Sequence, residues 1–213
     1  MDLTTKLQQG LHALPLHLPP STQIQLLNYL ELLAQWNQVY NLTAIRDLVE
    51  MIPKHILDSL AILPYVYGNT LVDVGTGAGL PGLLLAIACP QWQCVLLDSN
   101  AKKIRFVKQA ILELKINNAQ AICTRVEAFT PPRGFNTVIT RAYANLHHFY
   151  ATAKHLSIPG GYLLAMKGIY PVAEIAQMAQ VPVPLKCLPL QVPQLAAQRH
   201  LVLIGPLSYH LSP

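Results

Sequence analysis

Charge is what this 213-residue sequence has least of: Asp, Glu, Lys and Arg make up only 12% of it, and just ten residues are acidic. Soluble domains usually carry about twice that charged fraction. With 52% hydrophobic residues, the composition excludes a disordered or linker-like chain and supports one large core. The shortage of acids leaves a formal net charge of +5. That admits an anionic partner such as RNA without requiring one. Cysteine is scarce too. Cys89, Cys94, Cys123 and Cys187 include no CxxC pair, which argues against zinc-ribbon and dithiol redox chemistry and for reduced thiols. His147-His148 has no carboxylate at ligand spacing, so no metal site is expected. MDLTTKLQQG lacks the basic-then-apolar pattern of a signal peptide. The longest apolar stretch, Leu80 to Cys89, is broken by Pro81 and Gly82 and is too short to cross a bilayer. A soluble cytoplasmic protein without a membrane partner is expected.

What is present divides in two. Residues 1–68 read as helical. Ser21 is placed to cap a helix carrying Ile24, Leu26, Leu27, Leu30 and Leu33 and ending near Trp36. A second helix is expected over Asp47 to Leu63, with Met51, Ile52, His55, Ile56, Ser59 and Leu60 on one face. Pro64 and Gly68 close it. From Thr70 onward short apolar runs alternate with helical segments. LVDVG, CVLLD, AQAICT, NTVITRA and GYLLAMKG read as strands of a parallel sheet covered on both faces. CLPLQV and RHLVLI read as a closing antiparallel pair after a short helix near 172–179. No repeat or low-complexity linker intervenes. The N-terminal helices are therefore expected to pack on the α/β body, 69–213, as one domain.

The densest motif is Asp73-Val-Gly75-Thr-Gly77-Ala-Gly79-Leu80-Pro81-Gly82, set after a strand and before a helix. Glycines there let the backbone turn tightly and a ligand approach closely. Gly77-x-Gly79-x-x-Gly82 matches the dinucleotide signature, but a NAD loop puts its first glycine directly after the strand, where Gly75 stands. Asp73 beside that loop would repel a pyrophosphate and suits an ammonium group, as in the methionine moiety of S-adenosylmethionine. Asp98, at the end of the second strand, is placed to accept both hydroxyls of a ribose, which both cofactors share. Arg125-Val126-Glu127 follows the third strand, where a methyltransferase would clamp adenine.

At this point a family becomes visible. WNQVYNLTAIRD, HILDSL, DVGTGAGLPG, LLDSNAKKIRF, RVEAF, ITRAYANL, AMKG and LQVPQLAAQRHLVLI run in the same order as in the bacterial small-subunit ribosomal RNA methyltransferase G family, also called glucose-inhibited division protein B. Together they cover roughly residues 25–205 and resemble that family closely. Asn100-Ala101 stands where the family usually has Leu-Gly, and Lys103 where it has Arg. The resemblance implies an α/β class I S-adenosylmethionine-dependent methyltransferase fold, Rossmann-like, with a mostly parallel seven-stranded sheet. It implies methyl transfer to N7 of one guanine in the decoding-region loop of 16S ribosomal RNA, naked or within a small-subunit precursor. A monomer is expected. Carried over by motif, Gly75, Leu80, Val126, Glu127 and Arg141 would contact the cofactor; the loop and strand arguments add Asp73, Gly77, Gly79 and Asp98.

Guanine N7 has a free lone pair at neutral pH, so no general base is needed, and the sequence offers none. The Asn-Pro-Pro-aromatic motif of many amino-group methyltransferases is replaced by Thr140-Arg141-Ala142-Tyr143. Catalysis should come from alignment of N7, methyl and sulfur. Arg141 and Lys167, at strand ends, are the catalytic candidates, and Tyr143 either stacks on the acceptor base or belongs to the core. Lys102, Lys103, Arg105, Arg125 and Lys167 form a candidate RNA grip, with Arg46, Lys54 and Arg199 as weaker members. His55 and Asp58, three apart, are read as locking the N-terminal helices onto the sheet more readily than as substrate contacts. A methyltransferase for another RNA or a small molecule, and a non-catalytic NAD-binding module, remain open.

Overall fold

The computed structural model describes residues 2–207. The strands are β1 (Thr70–Val74), β2 (Gln93–Asp98), β3 (Ala119–Cys123), β4 (Phe135–Arg141), β5 (Ser157–Lys167), β6 (Leu185–Pro189) and β7 (His200–Ile204). They form one seven-stranded sheet in the order β3-β2-β1-β4-β5-β7-β6. The first five strands pair in parallel, and β7 runs antiparallel to both β5 and β6. The closing antiparallel pair is therefore present, with the last strand, β7, inserted between β5 and β6. The chain lays β1, β2 and β3 outward in one direction and then returns to place β4 on the other side of β1. That reversal opens a crevice at the carboxyl ends of β1 and β4, the usual ligand position in such sheets.

Both faces of the sheet are covered. Helices α5 (Gly82–Ala88) and α6 (Ala101–Glu113) share one buried cluster with the N-terminal helices. In it Leu7, Leu26, Leu30 and Leu33 join Leu84, Phe106 and Ile139. Each such buried leucine contributes roughly 1.5–3 kcal/mol relative to an exposed one. On the opposite face α7 (Leu146–Ala153) and α8 (Val172–Met178) pack Phe149 and Met178 against Val72, Val138, Leu163 and Val202. Among the described residues no helix is long and apolar enough to cross a membrane.

The N-terminal region departs from expectation in three places. Leu3–Ala13 is a separate helix, α1, capped by Asp2 and pressed so close to Leu57 at Gly10 that a side chain there has no room. Helix α2 (Pro20–Tyr40) begins one residue before Ser21, with Pro20 in its first turn, so Ser21 is not the cap. It runs past Trp36 to Asn41, whose left-handed φ of 49° ends it. The expected helix from Asp47 to Leu63 is interrupted. It consists of α3 (Leu48–Met51), a π-helical stretch Ile52–Leu57 and α4 (Asp58–Leu60). Pro53 has no N–H for the α ladder, and the Asp58 N–H reaches back five residues to the Pro53 carbonyl. The widened turn buries His55 and Asp58 together.

Candidate functional site

The glycine-rich loop is braced from inside. Asp73 is fully buried and lies beneath the loop, where its Oδ2 accepts from Thr76 Oγ1 at 2.7 Å and from the Gly82 N–H at 2.8 Å. Burial pushes its carboxyl up to about 6, against those two hydrogen bonds and Arg141. Its other oxygen, Oδ1, has no partner among the described residues. Tyr29 of α2 donates to the Ala78 carbonyl at 2.7 Å, which ties an N-terminal helix to the loop. Gly75, Gly77 and Gly79 all have positive φ. At Gly75 this matters most, because a Cβ there would sit 2.9 Å from the Tyr143 ring.

Over the loop lies a cavity of about 360 Å³ walled by Gly75, Asp98, Lys103, Arg125, Val126, Glu127, Ala142, Tyr143 and His148, among others. Asp98 accepts from the Gly77 N–H at 3.0 Å and the Asn100 N–H at 2.8 Å. Each of its oxygens retains capacity for a ribose hydroxyl. Asn100 caps α6 by accepting from the Lys102 and Lys103 N–H groups, so the Asn-Ala departure from the family keeps a well-formed helix start. The cavity thus brings together Gly75, Asp98, Val126 and Glu127. Asp73, Gly77, Gly79, Leu80 and Arg141 lie outside its lining: the first four are part of the loop and its support, and Arg141 faces elsewhere. Glycine spacing marks a tight turn but does not say which glycines reach the ligand. The residues missed on this wall, Ala142 and His148, carry no sequence signal of their own.

Arg141 faces a second cavity of about 440 Å³, lined by Lys54, His55, Asp58, Arg141, Ala142, Met166, Lys167 and Arg199 among others. Asp58 is buried and accepts from Arg141 Nη1 at 3.2 Å and Arg199 Nε at 2.8 Å, one on each oxygen. Its partners explain how an acid sits on an apolar helix face. His55 is held on both sides. Its Nδ1 is 3.0 Å from the Lys54 carbonyl, which can only accept, so Nε2 accepts from Thr43 Oγ1 at 3.0 Å. Burial, and secondarily Arg141, lowers its pKa to about 4. Thr43 in turn takes an N–H from Ile45 and gives its own to Asn37, which fixes the YNLTAI loop. Lys167 donates to Glu174 at 2.7 Å and to the Ala144 carbonyl at 3.0 Å. Ala142, with φ of 57°, borders both cavities.

The expected single basic rim is thereby split. Lys102, Lys103, Arg105 and Arg125 lie on the cofactor side, at the start of α6 and the end of β3. Lys54, Arg141, Lys167 and Arg199 surround the second cavity. Tyr143 lines the first cavity, with its ring stacked on His148 at 6.0 Å, and does not line the second. Arg46 is exposed on the adjoining loop. Among the described residues no cluster of His, Cys, Asp and Glu could hold a metal ion.

Comparison with known proteins agrees with this geometry. A SAM-dependent methyltransferase from Aquifex aeolicus superposes with a TM-score of 0.56 at 14% identity, over 73% of this chain and 92% of that one. That likeness gives the fold, the class I methyltransferase α/β sheet. The ribosomal RNA small subunit methyltransferase G of Laribacter hongkongensis is 45% identical over 205 residues, 96% of this chain and 99% of the relative. That of Nitrosococcus oceani is 50% identical over 200 residues, 94% of each. The family model for GidB, rRNA small subunit methyltransferase G, matches residues 22–202. The chain therefore belongs to the ribosomal RNA small subunit methyltransferase G family.

Proposed function

We propose that this protein transfers a methyl group to N7 of a guanine in the decoding-region loop of 16S ribosomal RNA, with S-adenosylmethionine as methyl donor. The cofactor belongs in the cavity above the glycine-rich loop. There Asp98 would hold the ribose, Val126 and Glu127 would border the adenine, and the loop glycines would leave room for the remainder. The unpartnered Asp73 Oδ1 at the loop's base suits a cofactor with a cationic amino group. When bound, the cofactor supplies an electrophilic methyl on a sulfonium.

One observation carries the choice of acceptor: every acid and base lining the second cavity is already engaged. Asp58 is shared by two arginines, Lys167 is held by Glu174, and both ring nitrogens of a neutral His55 are occupied. A hydroxyl or amino acceptor would need one of them to take its proton. Guanine N7 attacks with a lone pair and loses no proton, so positioning is enough. Arg141, its charge balanced by Asp58, would donate to the guanine without setting a bare cation beside the nitrogen that becomes positive. Lys167, held on strand β5, would fix the same base or its phosphate. The remaining basic residues would grip the RNA backbone.

The test is mass mapping of 16S RNA from a strain lacking this gene, before and after complementation. N7-methylguanine should vanish from the decoding-region loop and return with the gene. An unchanged methylation pattern would overturn the proposal and favour another acceptor for the same fold.

A further inference from the structure

Eight large hydrophobic side chains are exposed among the described residues, and three fall within four consecutive positions. Ile169 is 78% exposed, Tyr170 49% and Val172 68%. They follow Lys167 and Gly168, which line the second cavity, and they border a further hollow of about 440 Å³ formed by 167–174. The segment is tied down at both ends. His200 donates through Nδ1 to the Gly168 carbonyl at 2.8 Å and holds the Tyr170 ring in a T-shaped contact at 5.5 Å. Glu174 holds Lys167 and the Leu146 N–H, each at 2.7 Å, and the Ile175 N–H closes on the Pro171 carbonyl at 3.0 Å. An apolar segment kept in water by this much bracing points to a partner.

We propose that Ile169, Tyr170 and Val172 form an apolar wedge that stacks on unpaired bases of the RNA beside the methyl acceptor. Three side chains fall far short of the roughly 800 Å² per partner that a stable protein interface needs, but they match the faces of one or two nucleobases. The charge around them stays positive after pairing: Lys54, Arg141, Lys167 and Arg199 ring the adjoining cavity against the three carboxylates Glu50, Asp58 and Glu174, with both arginines sharing Asp58. Bringing the N7 edge of guanine into a cavity at the strand ends draws the base away from its neighbours, and an apolar side chain inserted at the vacated position compensates the lost stacking. The inference rests on RNA being the substrate and names the contact that opens it.

The substrate for the test is small ribosomal subunits from a strain lacking this gene. The double variant Ile169→Ser/Val172→Ser, and separately Tyr170→Ala, should raise the KM for subunits about tenfold or more, the range expected for loss of one stacked base. Maximal rate should stay within about threefold and S-adenosylmethionine affinity should be unchanged. Tyr170→Phe should keep wild-type KM. An Ile169→p-benzoylphenylalanine variant, irradiated on the same subunits, should crosslink to nucleotides next to the methylated guanine. Unchanged KM in both loss variants overturns the wedge, as does crosslinking to ribosomal protein alone. Wild-type protein that methylates neither these subunits nor the 16S RNA extracted from them overturns the RNA reading itself, a result that the variants cannot mimic.

Discussion

Asp58 and Arg199 lie 141 positions apart in the chain and meet at 2.8 Å, with Arg141 on the other carboxylate oxygen. One buried acid thereby joins the interrupted helix, the end of β4 and the residue before β7. Removing it leaves two partly buried guanidiniums facing each other. Asp58→Ala should lower stability by about 3 kcal/mol in chemical denaturation, the low end for breaking a buried pair. Arg141→Ala should abolish methyl transfer while circular dichroism stays native. Wild-type turnover in the Arg141 variant would remove it from the acceptor site.

Gly75→Val should block cofactor binding. The added side chain meets Tyr143 and is strained at a φ of 71°. Titration calorimetry with S-adenosylmethionine should show no binding. Retained affinity would mean that the cavity above the loop holds something else.

Ala142 borders both cavities, so on the proposed assignment the transferred methyl passes it. Ala142→Leu should cut turnover at least tenfold while cofactor affinity changes by less than about threefold. Ala142→Gly, which relaxes the positive φ, should remain active. Equal loss of binding and turnover in the leucine variant would place Ala142 in the cofactor wall only.

Two buried groups give opposite pH dependences. His55 falls from an ordinary 6.5 to about 4 in the fold. Its contribution is complete above about 6.5 and is lost as pH falls through 4. Asp73 rises from 3.8 to about 6, so its contribution is complete below about 3.8 and is lost as pH rises through 6. Between pH 7 and pH 4, His55→Gln should therefore gain stability relative to wild type as the solution is acidified. Asp73→Asn should gain it in the other direction. Urea denaturation across that range checks both slopes.

Lys102→Glu with Arg105→Glu should weaken RNA methylation and leave cofactor affinity intact, since both side chains are exposed and neither lines the cofactor cavity. Lys103 is a poorer probe because its Nζ lies 3.9 Å from Asp98. Undiminished methylation would remove this side of the molecule from the RNA grip.

The sheet was legible because its strands are continuous apolar runs with Asp73, Asp98 and Arg141 at or next to their carboxyl ends, and the alternation with helices leaves few topologies. Local chemistry also announced Gly75 and Asp98. What was not legible depends on distance. Nothing near Arg141 tells that its partner is Asp58, so the sequence could not say that it lines the second cavity and not the first. Asp73 was expected as a ligand group because it neighbours the loop; the structure adds that its Oδ2 braces the loop through Thr76 and Gly82, which leaves only Oδ1 unpartnered. The π-helical stretch had a cue in Pro53, whose missing N–H makes a continuous helix from Asp47 costly. The missed helix α1 did carry a pattern, Leu3, Leu7, Leu11 and Leu14 behind the capping Asp2, but Gly10 and Pro15 broke its appearance.

The insertion of β7 between β5 and β6 gives the two cavities different birthdays. Every residue lining the cofactor cavity lies between Val74 and His148. The second cavity needs Arg199, the residue just before the last strand of the sheet. During synthesis the residues around the first cavity are therefore all made before those that complete the second. On the proposed assignment, the cavity that receives RNA is completed only when Arg199 has been synthesised.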